Sequence, residues 1–122
     1  MGMEHTLPSS AGFARIERMN VEVAIRQAKL RELCQQFSVE RLDLFGSAAS
    51  DDFDPARSDI DLVVTFGRTP ADMDGASQYF GLLRSLEALF GRHVDLLEES
   101  AIRNRFMIRE LSRTRIPVYY AA

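Results

Sequence analysis

A single cysteine, Cys34, excludes an internal disulfide and any thiolate metal cage. It falls in an amphipathic stretch, where a small buried apolar role is expected of it, and a reducing cytoplasm fits that usage. Long apolar runs are missing as well. None approaches the roughly 20 residues that a membrane helix needs, and no secretory pattern opens the chain. Charge of one sign is also scarce: the net charge is −3, with 27% charged residues. A dedicated nucleic-acid binder would be strongly basic, so direct binding of DNA or RNA is not expected. The two histidines, His5 and His93, suggest no role. Internal repeats and low-complexity segments are absent.

What is present suits one domain: 122 residues, 46% of them apolar, can build one modest core. Residues 1–19, with Pro8, Ser9, Ser10 and Gly12, read as a tail, and residues 20–122 as the folded domain. From Asn20, a good N-cap type, Val21, Ala24, Ile25 and Ala28, then Leu30, Leu33, Cys34 and Phe37, predict one amphipathic helix. Leu42 and Leu44 alternate with Arg41 and Asp43, a short strand running into Gly46-Ser47. Residues 48–58 are polar and turn-rich. Residues 59–66, DIDLVVTF, predict a strand with Ile60, Leu62, Val64 and Phe66 on one face and Asp59, Asp61, Val63 and Thr65 on the other.

Thr69-Pro70 predicts a helix start, Gly91 its stop, and Ala76, Tyr79, Phe80, Leu83, Leu86 and Phe90 its apolar stripe. A strand over residues 93–97, a helix from about Ala101 to Ser112, and a strand over 116–120 complete the chain. Pro117 marks the last as an edge strand or a strand start. The order predicts an α+β fold, a two-layer α/β sandwich in which helices cover one face of a short mixed sheet.

The chemistry concentrates in LFGSAASDDFDPARSDIDL. Gly46 permits close backbone approach after a strand, and Ser47 adds a hydroxyl beside free amides, the groups that cradle a phosphate. Asp59 and Asp61, two apart on a strand, project together. Such a pair persists if one acid stays protonated or a cation binds between them; a helix cap or an ion pair with Arg57 would also account for one of them. Oxygen ligands without cysteine suit Mg²⁺. Asp95 is a third acid in an apolar strand. Alone it reads as a salt-bridge partner; beside the Asp59–Asp61 strand it would complete a cluster able to bridge two ions. Arg103, Arg105, Arg109, Arg113 and Arg115 form a basic series. Arg105, Arg109 and Arg113 share one helical stripe, readable as a solvated face or as a contact surface for triphosphate or an acidic partner.

The segments LFGSAAS, SDIDLVV and VDLL resemble the Gly-Ser…Asp-x-Asp…Asp signature of the polymerase β-type nucleotidyltransferases, and the short length resembles their minimal group, many encoded beside a HEPN-domain partner. The resemblance spans roughly residues 20–120. It implies the polymerase β-like nucleotidyltransferase fold and transfer of a nucleoside monophosphate, most simply AMP from ATP, with Mg²⁺ as cofactor, as two ions. It implies that Gly46, Ser47 and Ser58 bind the nucleotide, that Asp59, Asp61 and Asp95 hold metal, and that Asp95 helps deprotonate the acceptor. In relatives of this kind the acceptor can be a tyrosine of the HEPN partner, an antitoxin role. A rival expectation is an antitoxin that neutralises a HEPN ribonuclease by contact alone; a small-molecule acceptor is a third. The chain departs from the family pattern at Ser50-Asp51, where a basic residue and glycine are common, and eleven residues separate Ser47 from Asp59. Homo- or hetero-oligomers are compatible with this reading.

Overall fold

Leu30, Leu33 and Cys34 lie on one side of α1 (Gln27–Gln36), as their spacing requires, and all three are buried. The chain turns through Ser38, at φ 55°, into β1 (Val39–Leu44). Next come β2 (Ile60–Phe66), α2 (Gly75–Phe90), β3 (Val94–Glu98), a 3₁₀ turn (Glu99–Ala101), α3 (Arg105–Thr114) and β4 (Ile116–Tyr120). This computed structural model describes residues 22–45 and 59–121. The expected tail, the cap at Asn20 with Val21, and the segment holding Gly46, Ser47, Ser50, Asp51, Asp52, Arg57 and Ser58 lie outside the described residues.

The strands form one mixed sheet in the order β3-β2-β1-β4. β1 is antiparallel to β2 and β4, and β2 is parallel to β3. Pro117 accordingly sits on an edge strand, where its missing N–H does least harm. Leu42, Leu44, Ile60, Leu62, Val64, Val94 and Leu96 pack from the sheet into one core with Leu30, Leu33, Cys34 and Phe37, and with Leu82, Leu86 and Phe90 of α2. That is the two-layer arrangement expected. Cys34 is buried as expected, and burial pushes its thiol up to about 12, so it stays protonated at neutral pH. Among the described residues, no helix is long and apolar enough to cross a membrane.

Three helix boundaries differ from expectation; the last helix starts at Arg105, where Asn104 caps it by accepting from Met107 N at 3.1 Å, and not near Ala101, which ends the 3₁₀ turn. The first helix is interrupted by a turn at residues 25–26, and Ala24, Ile25 and Ala28 face solvent while Val23 is buried. Arg26 explains the break: its Nε donates to Leu89 O at 3.0 Å, its Nη1 pairs with Glu22 at 2.9 Å, and its guanidinium lies 5.8 Å from the Phe90 ring centre. α2 begins at Gly75, five residues beyond the Pro70 start, because Asp74 caps it by accepting from Ser77 N at 2.7 Å. Thr69 instead bonds Gln78 at 3.1 Å, and buried Gln78 donates to Phe37 O at 2.8 Å. The buried stripe of α2 is therefore Gln78, Leu82, Leu86 and Phe90, leaving Ala76 and Phe80 outward. Gly91 ends α2 in the left-handed conformation, φ 66°, as expected.

The second sheet face carries an ion-pair network. Asp43 is fully buried and accepts from Arg41 Nε at 2.7 Å and Arg115 Nε at 2.8 Å. Arg115 also holds Glu99 at 2.8 Å, and Thr65 donates to Glu99 at 3.0 Å. Arg115, a member of the basic series, therefore belongs to this network.

Two stability outcomes follow from this packing. A Cβ at Gly81 would come within 2.5 Å of the buried Phe37 ring. Overpacking costs about 1–3 kcal/mol and the helix-propensity gain over glycine is about 1 kcal/mol at most, so Gly81→Ala should lower stability in urea unfolding. The Arg115 hydrogen bond, against desolvation and aided by Thr65 and nearby arginine charge, holds the Glu99 carboxyl below its ordinary range. A depressed acid contributes stability that is present above its unfolded pKa and lost as pH falls through its folded one. The stability advantage of wild type over Glu99→Gln should thus be present at pH 7 and shrink on acidification below the ordinary glutamate range. An advantage independent of pH would show that the Glu99 charge contributes nothing.

Candidate active site

The register of β2 against β3 builds the site. Ile60 pairs with Val94 and Asp61 with Asp95, so in-register carboxylates stand on adjacent strands, facing away from the helical layer. Ile60 N donates to His93 O at 3.1 Å, which extends the alignment by one residue and sets Asp59 beside His93. DID thus lies against HVD. His93 Nδ1 is 3.3 Å from Asp59 Oδ2 and 3.7 Å from Asp95 Oδ1. One ligand atom from each of Asp59, His93 and Asp95 fits within 4.8 Å of the others. Both of these acids are about half exposed, with side-chain exposures of 54%.

Asp61 and Asp95 also border a cavity of about 390 Å³ with His93, Tyr79, Leu83 and Met107. The cavity is polar at the carboxylates and apolar at its helical wall. Tyr79 donates its hydroxyl to Leu96 O, bracing the residue after Asp95 against α2. Burial, then the Glu98 and Asp95 carboxylates, raise the Tyr79 phenol above its ordinary range, which keeps it a donor. Phe45 N donates to Asp61 O at 3.1 Å, so the residue preceding Gly46 is bonded to the acid-bearing strand.

Of the three acids singled out in the sequence, Asp59 and Asp95 meet around His93, while Asp61 pairs in register with Asp95 and lines the same cavity without joining that group. Gly46, Ser47 and Ser58 lie outside the described residues. His93 is the residue that sequence reasoning passed over; its signal was its position two residues before Asp95, matching Asp59 before Asp61. The arginine series divides. Arg115 is mostly buried, Arg113 grips Glu110 with two bonds of 2.8 Å, and Arg103 donates to Ser100 O at 2.9 Å. Arg105 and Arg109 are exposed on α3, beside the exposed Phe106 and Ile108.

Comparison with known proteins agrees with this geometry. The family described as Nucleotidyltransferase domain matches residues 27–117. A solved protein provisionally described as a minimal nucleotidyltransferase superposes with a TM-score of 0.63 at 29% identity, covering 81% of this chain and 94% of the other. A complex from Shewanella oneidensis, a tri-AMPylated HEPN toxin with its MNT antitoxin, gives 0.54 at 16% identity over 81% and 73% of the two chains. A toxin–antitoxin structure with AMP-PNP gives 0.56 at 18% over 77% and 73%. These two show likeness of fold. No curated protein matches the sequence. The chain belongs to the nucleotidyltransferase domain family, and its fold is the polymerase β-like one. It is an enzyme of the nucleotidyltransferase class.

Tyr79→Phe removes the brace on β3 while keeping the ring. It should cost about 1 kcal/mol of stability, the net worth of one hydrogen bond, and should speed amide exchange in Val94–Glu98 more than in β1. Equal exchange in both strands would mean that Tyr79 does not hold β3.

Proposed function

We propose that this protein transfers AMP from ATP to a hydroxyl of a HEPN-domain partner, a tyrosine being the acceptor, and so acts as an antitoxin. The observation that supports the reading is the meeting of Asp59 and Asp95 beside His93, with Asp61 paired in register to Asp95 on the adjacent strand. The donor set fits the implied cofactor: carboxylate oxygens in a half-exposed cluster suit Mg²⁺, which keeps waters and shares ligands with phosphates. Bound there, Mg²⁺ would neutralise phosphate charge and lower the pKa of the attacking hydroxyl. Asp59, Asp61 and Asp95 would hold it.

The chain's own residues supply the remaining parts. Gly46 and Ser47 offer backbone amides and a hydroxyl to the terminal phosphates, with Ser58 nearby in sequence. Asp95 draws the proton from the acceptor as its oxygen bonds to the α-phosphorus; the bond from that phosphorus to the bridging oxygen breaks, and pyrophosphate leaves. Arg105, Arg109, Phe106 and Ile108 form an exposed basic and apolar surface that suits an acidic-rimmed partner.

One observation favours neutralisation by contact alone: Ser50-Asp51 stands where a basic residue and glycine are common, and Asp51 and Asp52 bring negative charge near the phosphate loop. The double variant Asp59→Asn, Asp61→Asn separates the readings, because it keeps shape and removes charge. With labelled ATP, Mg²⁺ and a HEPN protein, transfer should fall by several orders of magnitude while complex formation persists. A variant that protects cells as well as wild type does would assign neutralisation to binding.

A further inference from the structure

The imidazole of His93 is the one nitrogen donor within the carboxylate cluster among the described residues, and the sequence signature of the family does not call for it. Its Nδ1 sits between two acids, 3.3 Å from Asp59 and 3.7 Å from Asp95. Those separations suit three ligands gathered around one ion: bond lengths of about 2.0–2.2 Å to nitrogen and oxygen place neighbouring donor atoms roughly 3 Å apart. The ring is held there by backbone, since the His93 carbonyl is bonded to Ile60 N at 3.1 Å and the next residue pairs in register. At 59% side-chain exposure it meets solvent, so an ion can reach it without rearrangement of the core.

We propose that His93 adds a nitrogen ligand to the cation position of Asp59 and Asp95, so that a position able to take Mg²⁺ binds a first-row transition dication, Mn²⁺ or Co²⁺, more tightly. The inference deepens the cation chemistry proposed above and rests on it. Imidazole is a borderline ligand suited to transition metals, whereas Mg²⁺ favours oxygen alone. A site of three carboxylates would gain little from exchanging Mg²⁺ for Co²⁺ beyond the general affinity order. A site with His93 gains a metal–nitrogen bond that Mg²⁺ exploits poorly.

The test needs no nucleotide and no turnover. Mn²⁺ is added to the full chain, and electron-spin-echo modulation is read for directly bound ¹⁴N. Modulation is expected in wild type and should vanish in both His93→Gln and His93→Asp, the second of which keeps an oxygen donor at the position. Retention in both variants would assign the nitrogen to another residue, such as His5. By calorimetry, Co²⁺ affinity should drop in His93→Gln by at least about tenfold, the smallest loss common even for outer-sphere partners of metal ligands, with Mg²⁺ affinity unchanged. Circular dichroism should show both variants folded, as expected for a half-exposed side chain. Bound Mn²⁺ without ¹⁴N modulation, absence of Mn²⁺ binding, or equal Co²⁺ affinity in variant and wild type would each overturn the proposal. AMP transfer to a HEPN protein is measured separately, so loss of the transferase reading and loss of the His93 site are told apart.

Discussion

The parallel pairing of β2 with β3 is the constraint on which the site depends. Parallel neighbours cannot be joined by a tight turn; they need a crossover, and α2 provides it while burying Leu82, Leu86 and Phe90 over the sheet. The register is then set by apolar burial. Ile60, Leu62, Val94 and Leu96 all enter the core, and a slip of one residue would turn Val94 and Leu96 outward and Asp95 inward. Exposing two such side chains costs about 1.5–3 kcal/mol each, and burying an unpaired carboxylate costs more again. The acids are thus positioned by the hydrophobic residues that alternate with them. A charged site that would repel itself apart is held by forces on the other side of the sheet.

The same sheet face contains acids of two kinds, and the difference between them is solvent and partners. Asp43 is fully buried between Arg41 and Arg115, with Glu99 and Thr65 continuing the network. Its charge is answered within the protein, and removing either partner would strand the other, at a cost of about 3–5 kcal/mol. Asp59 and Asp95 are half exposed and share one imidazole between them. Among the described residues their charge is answered only in part, which leaves capacity for a cation. An acid gripped by two guanidiniums through one oxygen is structural, even with its second oxygen left unbonded; acids crowded around one imidazole among the described residues suit exchange of ligands.

Much of this was legible in the sequence, for physical reasons that differ by residue. The period-two pattern of DIDLVVTF is strong because every second residue enters the core, so β2 and the common face of Asp59 and Asp61 could be read directly. Gly91 was legible because few residues tolerate its backbone conformation. Asp43 was not, because LDL and DIDL look alike until β4 and the 3₁₀ turn bring Arg115 and Glu99 to one of them. The start of α2 was misplaced because Thr69-Pro70 satisfies every local rule, yet Gln78, anchored to Phe37 O, draws Thr69 out of the cap and Asp74 takes it. His93 became meaningful only once the register was known: pairing Ile60 with Val94 is a long-range fact, and it turns two separate tripeptides into one array.

The location of the array bears on the kind of acceptor. β3 is an edge of the four described strands, and the cavity beside Asp61 and Asp95 is bounded on one side by Tyr79, Leu83 and Met107. Sites for free small molecules bury most of the ligand surface, about 70–90% of it. Among the described residues, the acids remain half exposed at a sheet edge and enclose far less. An acceptor hydroxyl carried on a macromolecule is positioned instead by contacts made elsewhere, such as the exposed Phe106, Ile108, Arg105 and Arg109 surface of α3. Under the proposed transfer to a protein, the half-exposed acids would carry the chemistry and this separate exposed surface would hold the acceptor.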